Sequence, residues 1–369
     1  MSGSGEEGSD SGDEAAATPD AAPSGRDVGV VVREARPADA DAVAAFTGDT
    51  WGERHEDYIP RVFADWAESD DPDRGTFVAT LPAEAVDAAG LDGREADDTL
   101  AEGDGTGAAA AGEPEAVVGC IQAVSLSEWE AWGQGIRVDP AARGHGVGTA
   151  LSEAALDWGR ERGATVCRNM VFSWNVMGLG QSRAVGFEPE TEFRFAEPEP
   201  DAGVDDTAGA SDADPTPVGD ADPNAAWAFW TDSDARDHLR GLALDPNESW
   251  ACSELTRERL ATAAADGRLI GVADADAFVG FAVRTRVSER EADGETVRTA
   301  TYGVAAWRDV DAAGTLYDAV AADAGSVDAD DARVLIPETV EHVSDTGANR
   351  VAVAGEPDFV MRADLTGGE

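Results

Sequence analysis

The sequence predicts an α/β (α+β) fold: a mixed central sheet flanked by helices, built as two tandem units. Three observations carry this. Short apolar runs of strand length alternate with amphipathic runs of helical period along both parts of the chain. A glycine-rich turn at 144–148 joins the end of a strand directly to a helix. A stretch of Asp, Ala, Pro and Gly at 199–223 separates two parts whose element order is alike, and reads as a linker.

In the first part, residues 1–27 are an acidic Gly/Ser-rich tail with too little apolar surface to offset the entropy of ordering it. The first unit then spans 28–198. Residues 28–33 read as a strand, 37–46 and 58–66 as helices, and 76–81 and 116–124 as strands. A low-complexity stretch at 82–114 lies between those two strands and reads as a surface insertion. A further strand ends at Val138, and 149–162 is amphipathic at helical period, with Gly163 as its C-cap. Residues 164–172 read as a buried strand, and a short helix runs from Asn175 toward Gly186.

The second unit, 224–369, opens on an aromatic cluster at 227–230. Helices are expected at 253–265, 312–324 and 338–346, and strands at 269–272, 278–287, 296–304, 333–336 and 359–365. Asp293-Gly294 reads as a hairpin turn. Residues 302–304 and 334–336 take the places of 136–138 and 166–172, but the turn at 305–313 has no comparable run of glycines.

The turn carries the chemistry. Gly144, Gly146 and Gly148 leave nearly bare N–H groups at a helix start, which has unpaired donors and a partial positive charge. Arg143 adds a fixed cation. The spacing is not G-x-G-x-x-G and no Gly-Lys-Ser/Thr is present, which excludes the dinucleotide fingerprint and the P-loop. The pattern Arg143-x-x-Gly146-x-Gly148, the element order β-α-α-β-β-β-α-β-α-β, and the following Asn175 and Gly186-Phe187 resemble GNAT-type, acetyl-CoA-dependent N-acetyltransferases over roughly residues 28–198.

That resemblance implies a sheet of the GNAT acyltransferase type, with a degenerate GNAT-like second unit. It implies acetyl-CoA as co-substrate and an amine as acceptor, either a small molecule or a protein N-terminus. The backbone of Arg143, Gly144, His145, Gly146, Val147, Gly148 and Thr149 would hold the diphosphate. Ile136 and Val138 would run along the pantetheine, and Asn175 would touch it from the other side. The family often has a carboxylate on this strand. Strand alternation puts Glu128 and Glu130 on the face of Val138, and Glu130 is the expected base. A Tyr often serves as general acid four residues before the Gly-Phe pair; here Ser182 stands there. Trp129 and Trp132 lie near enough to wall an acceptor pocket. The alternative reading is a non-catalytic acyl-CoA-binding or interaction protein.

Composition bounds the rest. The 369 residues hold 75 acidic and 27 basic side chains, a formal charge of −48, and every basic residue is Arg. This excess argues against binding nucleic acid or an anionic membrane and resembles the proteins of salt-in halophilic archaea. Cys120, Cys167 and Cys252 are scattered, so they suit neither disulfides nor a metal. His55, His145, His238 and His342 have no ligand spacing. No signal peptide or membrane span is visible, so a cytoplasmic location is expected; a homodimer is compatible with all of this.

Overall fold

A computed structural model describes residues 29–367 apart from 49, 53, 55–56, 83–114, 202–213, 276 and 293. The tail, nearly all of the insertion, most of the linker, His55 and Asp293 therefore lie outside the described residues. The first half runs β1 (Val31–Glu34), α1 (Ala40–Thr47), α2 (Ile59–Glu68), β2 (Arg74–Pro82), β3 (Glu115–Ser125), β4 (Glu130–Val138), α3 (Val147–Glu161), β5 (Val166–Phe172), α4 (Val176–Ala184) and β6 (Glu188–Glu197). The second runs β7 (Thr216–Val218), α5 (Pro223–Thr231), α6 (Asp234–Leu239), β8 (Leu242–Leu244), β9 (Cys252–Glu254), α7 (Arg257–Ala265), β10 (Leu269–Ala273), β11 (Phe278–Ala292), β12 (Glu295–Trp307), α8 (Val310–Ser326), β13 (Asp331–Pro337), α9 (Val340–Ala348), β14 (Ala352–Val353) and β15 (Asp358–Asp364).

Several stretches differ from the sequence reading; where only an aromatic cluster was read, the chain forms α5, α6 and β8. The expected helix at 253–265 begins as strand β9, because Thr256 caps the helix by accepting from the Arg259 N–H and so fixes a later start. Within the expected linker, β7 forms and pairs with β10. The helix after the glycine turn starts at Val147 and ends where Gly163 takes φ +85°, its N–H and that of Ala164 closing on Arg160 and Gly159.

Among the described residues one large sheet has the order β1-β2-β3-β4-β5-β15-β6-β13-β12-β11-β10-β7, with β14 paired to β6. Each half carries an antiparallel run followed by one parallel pair, β4 with β5 and β12 with β13. A parallel pair needs a crossover, and α3 and α8 supply it. The last strands are exchanged. β6, from the first half, pairs with β13 of the second; β15, from the second, pairs with β5 of the first. The two then pair with each other at the centre. The linker thus divides the chain but not the sheet.

The exchange is sealed by a shared apolar core. Val124 and Trp132 of the first half pack with Phe193, Phe195, Leu242, Leu244, Cys252 and Trp230. On one face of the first half, Val147, Leu151, Ala155 and Trp158 of α3 cover β2 and β3. On the other face, Val43, Phe46, Ile59 and Phe63 of α1 and α2 cover Val78, Val117 and Cys120.

Candidate active site

The glycine turn sits where β4 runs out. Asp139 caps the short 3₁₀ turn Pro140–Ala142 by accepting from the Ala141 N–H at 3.0 Å. Arg143 is extended and exposed. Gly144 and Gly146 take φ +80° and +81°, a left-handed conformation that favours glycine. The half-buried His145 ring braces the turn, its Nδ1 lying 3.0 Å from the Arg143 carbonyl. Gly146 is the N-cap of α3 and offers no side-chain cap. The N–H groups of Val147, Gly148 and Thr149 therefore point out of the helix without an intrahelical partner. The space above Gly144 and Gly146 is open, whereas Gly148 is covered by the Gln181 side chain. An uncapped, positively polarised helix start under open space suits a diphosphate.

Beside this turn β4 and β5 part. Their parallel pairing runs from Glu130↔Val166 to Trp132↔Arg168 and stops. The cause is a bulge. Gly135 takes φ +64°, and the β3–β4 register shifts between Cys120↔Arg137 and Gln122↔Gln134. A Cβ at 135 would also strike Trp66 and Ile59. After the bulge Ile136 and Val138 turn to the α3 side, where they pack near Val147 and Leu151. The far wall of the gap is β5 and α4. Asn175 caps α4, its Oδ1 accepting from the Gly178 N–H at 2.9 Å. Ser182 is buried and accepts from the Asn169 amide at 3.2 Å. The Asn169 Oδ1 and Gln181 Nε2 atoms are buried without a hydrogen-bond partner. One unspent acceptor and one unspent donor on this wall fit a ligand with peptide-like amides, which the pantetheine arm has.

Period-two alternation predicts that Glu130 shares a face with Val138, and the bulge overturns this. One extra residue at Gly135 inverts the parity, so Trp132 faces the second half while Val138 faces α3. Glu128 is exposed in the turn before β4. Glu130 lies where β4 and β5 are still paired, and it is buried. It accepts from Arg168 at 2.7 Å, from the Glu254 N–H at 3.0 Å and from Ser127 at 3.0 Å, while Arg168 also binds Glu190 at 2.6 Å. The structure places Glu130 in a clamp between the halves and does not bring it to the parted strands. Glu130→Gln is expected to destabilise the fold by about 1–3 kcal/mol, because Arg168 keeps only one of its carboxylates. Urea unfolding in molar KCl measures this. A loss below about 0.5 kcal/mol, the scale of an exposed pair, together with an altered pH profile of turnover would return Glu130 to the reaction.

On the face away from α3 the parted strands meet groups that the sequence reading left unassigned. Phe172 stacks on Trp174 at 5.2 Å, and Trp51 meets both edge-on. Arg137 lies over Trp51 at 4.7 Å and binds Asp57 through two hydrogen bonds of 2.6 and 3.1 Å. Trp129 is partly exposed and Trp132 is core. Gln134, just before the bulge, donates to Gln122 at 2.8 Å and to Glu248 at 2.9 Å. Glu248 comes from the β8–β9 loop of the second half and binds Arg74 at 2.6 Å. Asp358, the first residue of β15, is the cross-strand partner of Phe172. Burial pushes its carboxyl up to about 7, with Arg333 opposing and Glu356 adding to the shift. The isolated Gly135 inside a strand pattern was the available signal for the bulge. No local signal marks Glu248 or Asp358.

The second half builds the corresponding place differently. Asp309 caps α8, its carboxylate accepting from the Ala312 N–H at 2.9 Å, and that bond holds the carboxyl below its ordinary range. The helix start thus carries its own anion. At the end of β12, Trp307 packs on His342 at 4.9 Å and on Tyr317 at 5.7 Å, and its Nε1 donates to Asp345. Burial lowers His342 to about 4, so the ring is neutral at pH 7.

Cys120, Cys167 and Cys252 are buried free thiols. Among the described residues no group of three or more His, Cys, Asp or Glu is placed to hold a metal ion, and no helix is long and apolar enough to cross a membrane.

Residues 41–176 match the model of the Acetyltransferase (GNAT) family. The fold is similar to that of the GCN5-related N-acetyltransferase from Sphaerobacter thermophilus, with a TM-score of 0.51 at 13% identity, over 92% of this chain and 97% of that one. It is also similar to the GCN5-related glucosamine N-acetyltransferase region of a fungal multi-domain GH3 β-N-acetylglucosaminidase, with a TM-score of 0.50 at 13% identity, over 90% of this chain and 38% of that one. A comparison with curated proteins finds no match. Residues 41–176 thus match the Acetyltransferase (GNAT) family model, and the fold of the chain is similar to that of solved GCN5-related N-acetyltransferases.

Proposed function

We propose that the first half transfers the acetyl group of acetyl-CoA to an amine, either a small molecule or a protein N-terminus, and that the second half is a GNAT-like unit that does not bind CoA. One observation carries this reading: α3 begins at an uncapped glycine turn beside parted strands, whereas α8 begins under its own Asp309. The backbone of Gly144 to Thr149, with the Arg143 guanidinium, would hold the diphosphate. The pantetheine would lie in the gap along Ile136 and Val138, with Asn175, Asn169 and Gln181 opposite. The thioester then falls at the Gly135 bulge, where backbone donors released from β-pairing polarise its oxygen. The thioester is already activated, so holding the amine in line and removing its proton are the tasks left to the protein.

Non-catalytic binding of acyl-CoA is the second reading. What favours it is Ser182, a buried aliphatic hydroxyl in the place where the resemblance leads one to expect a Tyr to protonate the departing thiolate. Thiol release from acetyl-CoA with a panel of amines, in molar KCl, separates the two. We expect turnover and a single CoA site per chain by calorimetry. Binding without thiol release from any amine would establish the second reading. Absence of CoA binding would overturn both.

A further inference from the structure

We propose that Asp358, carried into the first half by the exchanged strand β15, binds the ammonium of the acceptor and takes its proton, so that both halves build one acceptor site. The proposal rests on the acetyl-transfer reading for its chemistry and on the sheet for its geometry.

The register places Asp358 directly across from Phe172, the last residue of β5. Cross-strand partners stand on the same face. Phe172 belongs to the aromatic wall of Trp51 and Trp174, so Asp358 stands at that wall. Val360, two residues on and hence on the same face, packs in the shared core with Trp132. Asp358 therefore faces away from α3, on the side of the parted strands from which an acceptor would meet the thioester.

The neighbouring carboxylates are already engaged. Asp57 is bound by Arg137, Glu248 by Arg74, and Glu356 by Arg54 at 3.7 Å. Asp358 has no ion pair within 4.0 Å among the described residues, although it is buried. The charged and titratable groups around it are Arg333 of β13, Glu356 of its own loop and the Cys252 thiol of β9. Arg333 is held elsewhere: it lies over Trp250 at 4.5 Å and Phe195 at 5.0 Å, and its Nε donates to Thr301. A buried carboxyl without an ion pair, across from Phe172 at the edge of that aromatic wall, suits a cationic amine. A carboxylate next to the reacting nitrogen would be repelled. The substrate class is therefore an amine without an adjacent carboxylate, such as an aliphatic diamine, in preference to an α-amino acid.

The step balances without a further reagent. One ammonium proton passes to Asp358. The freed nitrogen attacks the thioester carbon, the C–N bond forms and the C–S bond breaks. The second nitrogen proton goes to the departing thiolate, and Asp358 returns its proton to water.

The test uses the full chain in molar KCl with 1,5-diaminopentane as probe. Wild-type turnover is expected to rise with pH through about 7, where Asp358 loses its proton. Asp358→Asn should cost on the order of 10²-fold in kcat/KM, remove that inflection and leave CoA affinity unchanged. Asp358→Glu should restore part of the rate. A readout independent of turnover is quenching of tryptophan fluorescence by the diamine. It should weaken about tenfold or more in Asp358→Asn and, in the wild-type protein alone, weaken as pH falls below about 7. Turnover with rate and inflection intact in Asp358→Asn would overturn the proposal. So would diamine binding that ignores both pH and the substitution, or its absence from the wild-type protein. Diamine binding that depends on Asp358, without acetyl transfer, would sink the acetyl-transfer reading and leave the amine site standing.

Discussion

Gly146→Asp is expected to lower CoA affinity by on the order of 10²-fold or more, while the circular dichroism spectrum is retained. Three effects act together. Gly146 sits at φ +81°, a left-handed conformation that costs a residue with a Cβ roughly 1–2 kcal/mol. Asp tolerates this conformation better than most residues, so the fold survives. The new side chain stands in the open space above the turn, and its carboxylate presents a negative charge to a diphosphate that would approach the same helix start. Loss of two charge-assisted hydrogen bonds, each worth about 1.5–3 kcal/mol, accounts for the size of the effect. Calorimetry with CoA in molar KCl measures it. Unchanged affinity would remove the turn from the binding site and, with it, the contrast between α3 and α8 on which the functional assignment stands.

How far the sequence reached follows from the range of each interaction. The glycine turn, the helix behind it and the Asn175 cap depend on residues within a few positions of one another, and such patterns are local. Parity along β4 was also a local inference, but it assumed an unbroken pleat. Gly135 inserts a residue, and every side chain beyond it changes face. That is why Glu130, in register with the strand pattern, stands in the ion-paired clamp with Arg168 and Glu190. Strand exchange is invisible to periodicity altogether. β15 reads as an ordinary closing strand, and nothing in its residues says that its partner is β5, nearly 200 positions earlier in the chain. Asp358 and Glu248 reach the first half only through that topology and through the β8–β9 loop, where the helical reading of 253–265 missed the strand β9. The exchange also explains the paired charges at the centre. Where two halves share a sheet, the seam crosses polar strand edges, and Arg194–Glu338 joins Arg168–Glu130 in closing it.

Dialysis from molar KCl to about 10 mM salt is expected to unfold the chain, seen as loss of helical ellipticity and of the cooperative melting transition. The formal charge is −48 after all 27 basic residues are counted. In water without screening, two like charges 20 Å apart repel by about 0.2 kcal/mol. Summed over many pairs, repulsion of this size competes with a folding free energy of about 5–15 kcal/mol. In 1 M salt the Debye length is about 3 Å, and only nearest neighbours interact; at 0.01 M it is about 30 Å. At low salt, therefore, a carboxylate on the folded surface repels distant carboxylates as well as its neighbours. The buried pairs, Asp57 with Arg137 and Glu130 with Arg168, are shielded from the solvent ions and should neither cause the transition nor prevent it. The direction separates this cause from its rivals. If repulsion drives unfolding, KCl and NaCl act alike over the range where the Debye length shortens most, and lowering the pH to about 4.5 at low salt, where carboxylates near their ordinary pKa begin to protonate, restores part of the fold. An unchanged spectrum and melting temperature across the dialysis would mean that the acidic surface is spaced widely enough to stand without salt, and the halophilic reading of the composition would fall.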